Sequence, residues 1–369
     1  VEGAGIAWVG VRQRRLAPRL FGVLLVFAAG IAFLADPTAA GGLPVLNARY
    51  VGALMISVSA LLTGWFLERG RAQLRDWEPP FTVALLVWGL LWWYGAGWVE
   101  ISRHVTGDYD LSVMAVFTAL SCVAAEQIGA RAWAQLRASA AVLWPALVLW
   151  LALQYDFEPH PFAHGGYIAW PLAIAALYWI LWRRDADAAS LPVRILHAVA
   201  FWLVTALATF ELHWVVRELI GGGRDWPRLA LLLVPGAMLA FASAGGRWPF
   251  APQRATYVTL ASLPVVVLAL AAVLWLSIDS RGEAAPLPYL PLVNPLDLAT
   301  AFLALALARW LLAYRGLADG LWAEMRTAVL VLLGIVAFVW MNAILFRSLH
   351  HYAGIDYRLP AMLHSVLAQ

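Results

Sequence analysis

The side chains able to do chemistry in this chain gather in a few short stretches. His104-Val-Thr-Gly107-Asp108-Tyr109-Asp110 sets an imidazole, a turn glycine and two carboxylates close together. Glu211, His213, Trp214, Arg217 and Glu218 form a second group, and His350-His351 a third. A carboxylate beside an imidazole is the usual general acid–base couple. Asp108-Tyr109-Asp110 also has the spacing of a metal-binding pair used by many sugar transferases. Each group has a structural reading as well. Gly107 permits a tight turn and the following Asp can cap the next helix. On a helix, positions 211, 214 and 218 share one face while His213 and Arg217 share its neighbour, a pattern that suits interhelical pairing or a site. His350 and His351 are adjacent, so on a helix they point apart and read as a solvated interfacial pair. Glu126 and Asn342, near span ends, read as hydrogen-bonded packing between helices.

No P-loop, dinucleotide fingerprint, zinc-protease helix or nucleophile elbow accompanies these groups. A single cysteine, Cys122, excludes a disulfide framework or a thiolate metal site within the chain. No metal is assigned and cofactors stay open. The binding residues expected from type and position are Glu100, His104, Glu211, His213, Arg217, His350 and His351, converging on one polar cavity.

The elements that must position them are membrane helices. Of 369 residues 63% are hydrophobic and 13% charged, too few charges to cover a soluble surface. Apolar runs of bilayer length recur near 19–35, 48–67, 81–101, 111–130, 139–155, 166–182, 193–215, 228–244, 256–277, 296–314 and 327–346. Residues 1–11 read as the tail of an earlier span and 359–369 as the start of another, so the parent chain is expected to be longer. The fold class is therefore an all-α polytopic integral membrane bundle of about eleven spans. Pro145, Pro171, Pro235 and Pro264 fall inside spans, where neighbouring helices can satisfy the freed carbonyls.

All 25 basic residues are arginine, part of a bias that also enriches Ala, Leu, Gly and the 21 Trp. Alternate connections divide the arginines 17 to 8, which places the richer set, with Arg71 and Arg183, on the cytoplasmic side. The net charge of +3 follows from this pattern, and nucleic acid is not an expected partner. The outward set is Arg49, Arg103, Arg217, Arg224, Arg228, Arg281, Arg347 and Arg358, and the main exception to the pattern is the segment 217–228. Seven of eight histidines lie outward, His364 among them, and only His197 lies inward.

The outward segments resemble one another. His104-Val-Thr-Gly107 parallels His351-Tyr-Ala-Gly354, with a weaker copy at Arg217-Glu-Leu-Ile-Gly221. Leu43-Pro44-Val-Leu46-Asn47 parallels Leu287-Pro288-Tyr-Leu290 followed by Asn294, and inward helix ends repeat a Trp-to-Arg pattern at 65–69, 179–183 and 310–315. Four crossings per period return the chain to one side, so the repeats are parallel. The expected division is 1–77 as a partial first repeat, 78–191 as the second, 192–326 as the third, and 327–369 as the start of a fourth.

Three stretches resemble a known family. They are Glu2-Gly3-Ala-Gly-Ile-Ala-Trp8 through Arg15, His160-Pro161-Phe-Ala-His164-Gly165-Gly166 through Leu172, and Trp340-Met-Asn342 with Leu349-His350-His351-Tyr352-Ala-Gly354. They are similar to the bacterial predicted membrane proteins of domain-of-unknown-function family 2339. The resemblance implies a long, many-span inner-membrane protein with a coiled coil ahead of this segment, and it implies no activity. Three functional classes fit: transport or flipping of an envelope component, a membrane enzyme acting on a lipid-linked envelope substrate, and an envelope scaffold. Membrane lipids are partners in all three. A polar path reaching both sides favours the first, a polar cavity open only outward the second, and no cavity the third.

Overall fold

The computed structural model describes residues 1–35, 42–187, 190–220, 225–317 and 319–357. Arg224, Arg358, His364 and the apolar segment at 359–369 lie outside the described residues. The described secondary structure is helical throughout. Ten helices among the described residues are long and apolar enough to cross a membrane. An eleventh at an expected span, α8 (Gly166–Arg183), is 18 residues long but carries three Trp, two Tyr and Pro171, which dilute its hydropathy.

The chain forms two compact units, residues 1–150 with 162–180, and residues 151–161 with 181–369. In the first, α1 (Glu2–Arg12) packs along α2 (Leu16–Ala35), which leads to α3 (Ala48–Arg69), α4 (Pro80–His104) and α5 (Asp110–Ala132). Then α6 (Ala134–Ser139) runs through a 3-10 turn into α7 (Leu143–Phe157), with α8 beyond. Two ion pairs fasten this unit, one fully buried and one with a buried carboxylate and a partly exposed arginine. Arg19 on α2 meets Glu78 at 2.8 Å, both side chains 3% exposed. Arg137 on α6 meets Glu126 on α5 at 2.7 Å, which discharges the packing role expected of Glu126. A buried carboxylate of this kind needs such a partner to offset its lost hydration.

The second unit holds α9 (Leu191–Ile220), α10 (Ala230–Ala244), α11 (Arg254–Thr256), α12 (Ser262–Asp279), α13 (Pro295–Arg315) and α14 (Asp319–Ala353). Its core joins Phe201, Leu232, Leu239, Tyr257 and Leu303. Pro264 has no N–H, and the backbone just before it widens into a π-helical turn over 257–261. The carbonyls released there are recaptured by side chains. Ser262 Oγ donates to the Tyr257 carbonyl at 2.6 Å, Trp310 Nε1 to Val258 at 2.8 Å and Trp202 Nε1 to Ala261 at 2.8 Å. Pro171 and Pro235 lie within continuous helices as expected.

Candidate functional site

The turn from α2 to α3 prepares one carboxylate. Val45 adopts a left-handed backbone, φ +66°, which turns its N–H toward α4. Asn47 caps α3 by accepting the Tyr50 N–H at 2.8 Å. The Val45 N–H and the Asn47 Nδ2 then donate to Glu100 Oε1 at 2.8 and 2.7 Å. His104 Nδ1, one helical turn further on, stands 3.2 Å from the same oxygen. Glu100 is thus 7% exposed with one oxygen fixed by several donors. Its Oε2 accepts no hydrogen bond from the described residues.

Glu100 lines a slot of about 330 Å³ between α2, α3 and α4. On α4 the lining is a stripe, Trp88, Leu91, Trp92, Gly95, Ala96, Val99, Glu100 and Arg103, at the alternating three- and four-residue spacing of one helix face. The stripe covers roughly 22 Å of helix at ~1.5 Å per residue. Phe33 and Leu34 of α2 and Ala53 of α3 complete apolar walls. Arg49 and Tyr50 join Glu100 and Arg103 at the end where α3 begins and α4 stops. Both guanidiniums are exposed and neither forms an ion pair with a described residue. Gly95 leaves open room beside it, since a Cβ there would meet nothing within 4 Å. Deeper along the stripe, the buried Trp88 Nε1 finds no acceptor.

The other expected residues lie in the second unit and serve separate local arrangements. Glu211 holds His160 Nδ1 at 2.9 Å, and the His160 ring stacks on Trp214 with centroids 3.5 Å apart. His213, on a neighbouring face of α9, hydrogen-bonds the Pro227 carbonyl instead. Arg217 is exposed beside Glu218, 3.4 Å away. His350 donates from Nδ1 to the Ile355 carbonyl at 2.7 Å, and His351 from Nε2 to the Arg281 carbonyl at 2.9 Å while stacking on Tyr289. These two histidines close the turn after α14. Burial pushes the Tyr289 and Tyr357 hydroxyls above the ordinary tyrosine pKa. The capping expected of the Asp108 pair takes another form. Tyr109 is the N-cap of α5 and makes no side-chain bond, while Asp110 accepts the Leu111 N–H at 2.8 Å. Among the described residues no three metal-ligating groups converge.

Local geometry recurs at a constant spacing of 247 positions. Val45 and Leu292 have φ +66° and +67°, and Gly107 and Gly354 both have φ +69°. Asn47 caps α3 and Asn294 caps α13. The matching segment is therefore Leu290-Pro291-Leu292-Val293-Asn294, three residues later than the expected Leu287-Pro288. Glu100 corresponds to Arg347, which is 1% exposed and paired with the fully buried Asp297 at 3.0 Å. Arg347 also donates to the Ser280 and Leu276 carbonyls, and Trp340 Nε1 donates to Asp297.

Residue types alone did not single out Asn47 as the partner of Glu100, or Arg49, Arg103 and the aromatic wall as lining the same slot. The available signal was the charge asymmetry, because Arg49 and Arg103 break it in the first two outward connections. His197, the one inward histidine, lies fully buried between the Tyr257 hydroxyl at 3.0 Å and Asp185, whose nearer oxygen is 3.8 Å away.

A family model described as a predicted membrane protein, DUF2339, matches residues 1–369. No curated protein matches the chain, and no solved structure does.

Proposed function

The chain belongs to the DUF2339 family of predicted membrane proteins, and from the slot in its first unit we propose that it transports or flips an amphipathic component of a bacterial envelope. One observation carries this reading. An apolar, aromatic-walled cavity of ligand size runs along α4 and ends in Glu100, Arg49 and Arg103. Such a cavity is neither a polar path reaching both sides nor a polar cavity, but it accepts a hydrocarbon tail along its length and a charged headgroup at its mouth, as an amphiphile carrier requires. The 17-to-8 arginine division supports placing that mouth on the extracytoplasmic side of an inner membrane. The recurrence of caps and turns at 247 positions supports reading the chain as parallel four-span repeats over 1–77, 78–191, 192–326 and 327–369.

The enzyme reading has one observation in its favour, the 3.2 Å approach of His104 to Glu100. It is weakened by the donors already fixed on Glu100 Oε1, which hold that oxygen as an acceptor and oppose its use as a base. The scaffold reading has no use for the slot.

Translocation of a fluorescent phospholipid in proteoliposomes tests the proposal. The full protein should accelerate exchange between leaflets, and Gly95→Leu, which fills the slot from an unobstructed position, should abolish the acceleration. Equal exchange with and without protein, or full exchange with Gly95→Leu, would overturn it.

A further inference from the structure

We infer that the molecule held in the α2–α3–α4 slot is a zwitterionic phospholipid whose headgroup joins a phosphate to a protonated amine. The inference rests on the slot's being an amphiphile site and adds the headgroup that its mouth selects. Two guanidiniums with no ion-pair partner among the described residues, Arg49 and Arg103, line the mouth beside one carboxylate, Glu100. Guanidinium is the side chain best shaped for phosphate oxygens. Two of them alone would favour any anionic lipid.

Glu100 changes that preference. Its position is not adjustable, since Oε1 is tied to the Val45 backbone and the Asn47 cap. Its Oε2 remains open to a donor. A headgroup that is only anionic brings like charge against this carboxylate. An ammonium linked to the phosphate instead gives each protein charge an opposite partner at a site half out of water, where such pairs are stronger than in bulk solvent.

The corresponding place 247 residues later carries a different set of charges on a similar backbone. There Leu296 stands where Arg49 does, Asp297 where Tyr50 does and Arg347 where Glu100 does. The arginine and aspartate neutralise each other at 3.0 Å, and His350, standing where Arg103 does, is spent on the Ile355 carbonyl. Charge is consumed inside the protein in that copy, and it is left for a headgroup in the first.

The test is native mass spectrometry of the purified full chain offered equal amounts of phosphatidylethanolamine, phosphatidylglycerol and N-acetylated phosphatidylethanolamine with the same acyl chains. The amine lipid should be retained about tenfold over both others, the scale of one added charge-assisted hydrogen bond. Glu100→Gln keeps an oxygen for Val45 and Asn47, so it should bring the three lipids to within about twofold without losing total retention. The Arg49→Gln/Arg103→Gln double variant should lower retention of all three. Equal retention of the amine and N-acetylated lipids by the unmodified chain would overturn the headgroup assignment even if Glu100→Gln failed to fold. If Gly95→Leu still displaces lipid in that case, the slot reading survives alone. If Gly95→Leu displaces nothing, the slot reading falls and this inference with it. Competition by soluble phosphoethanolamine as strong as by the lipid would overturn the assignment to a membrane lipid.

Discussion

Glu100 and Arg347 each stand 53 residues after an asparagine that caps a helix, and they carry opposite charge. Asn47 donates directly to Glu100. Asn294 donates to Asp297 at 2.6 Å, and Asp297 in turn holds Arg347. One backbone plan thus ends in a carboxylate at the mouth of an open slot in the first unit and in a closed ion pair in the second.

The closed pair is expected to be structural. Arg347→Ala leaves Asp297 buried without its counter-charge and should cost roughly 3–5 kcal/mol, as does Asp297→Ala in the reverse sense. Replacing both by Met and Leu should cost far less than either single change. Thermal unfolding in detergent measures this. Additive losses in the double variant would show that the two residues act separately.

Gly107 and Gly354 occupy the left-handed region at φ +69°. Alanine at either should cost about 1–2 kcal/mol, because a Cβ is strained there. Gly95→Ala should be neutral within about 0.5 kcal/mol, since nothing surrounds its added methyl. Melting temperatures of the three variants check this. A loss at position 95 equal to that at 107 would contradict the slot geometry.

The α5–α6 corner depends on the absence of a side chain at Gly129. A Cβ there would stand 2.2 Å from the Arg137 backbone nitrogen. Gly129→Ala should push α6 away, disturb the Arg137–Glu126 pair and cost roughly 1–3 kcal/mol. Reduced membrane abundance with a lowered melting temperature is the expected result, and an unchanged melting temperature would contradict the contact.

Orientation follows from the arginine asymmetry. Cysteines introduced at Arg71 and Arg183 should resist impermeant labelling of intact cells, and cysteines at His160 and Asp279 should accept it, in a Cys122→Ala background. Cys122 is buried, so the background substitution removes the native thiol at little cost to the surface. Labelling at position 71 from outside would reverse the assignment.

The helices were legible because hydropathy over bilayer length is a strong local signal. The ten candidate spans fall on runs read from the sequence, and α8 falls short of that class through its aromatic residues, Pro171 and Arg183. The slot was not legible because it depends on which faces of α2, α3 and α4 meet, and period alone does not specify that. Glu100 and His104 were identified by residue type, but the partners that define their chemistry lie 53 and 55 positions away at Asn47 and Val45. The histidines also have local structural partners, for a physical reason. An imidazole satisfies a loop carbonyl as readily as it binds a ligand, and His213, His350 and His351 each do so. The likeness of His104-to-Gly107 and His351-to-Gly354 was readable from residue types, while the matching of the proline segments at 247 positions emerged only from the backbone of Val45 and Leu292.

The central claim, that a lipid occupies the slot of the first unit, is tested most directly by photo-crosslinking. A photoactivatable residue replaces Leu91, which lines the slot, or, as a control of similar exposure outside the slot, Leu149 on α7. The protein is illuminated after detergent exchange has removed bulk lipid, and adducts are read by mass spectrometry. The account predicts a phospholipid adduct at position 91 that disappears with Gly95→Leu and is absent at 149. Equal adducts at the two positions, or an adduct at 91 unchanged by Gly95→Leu, would contradict it.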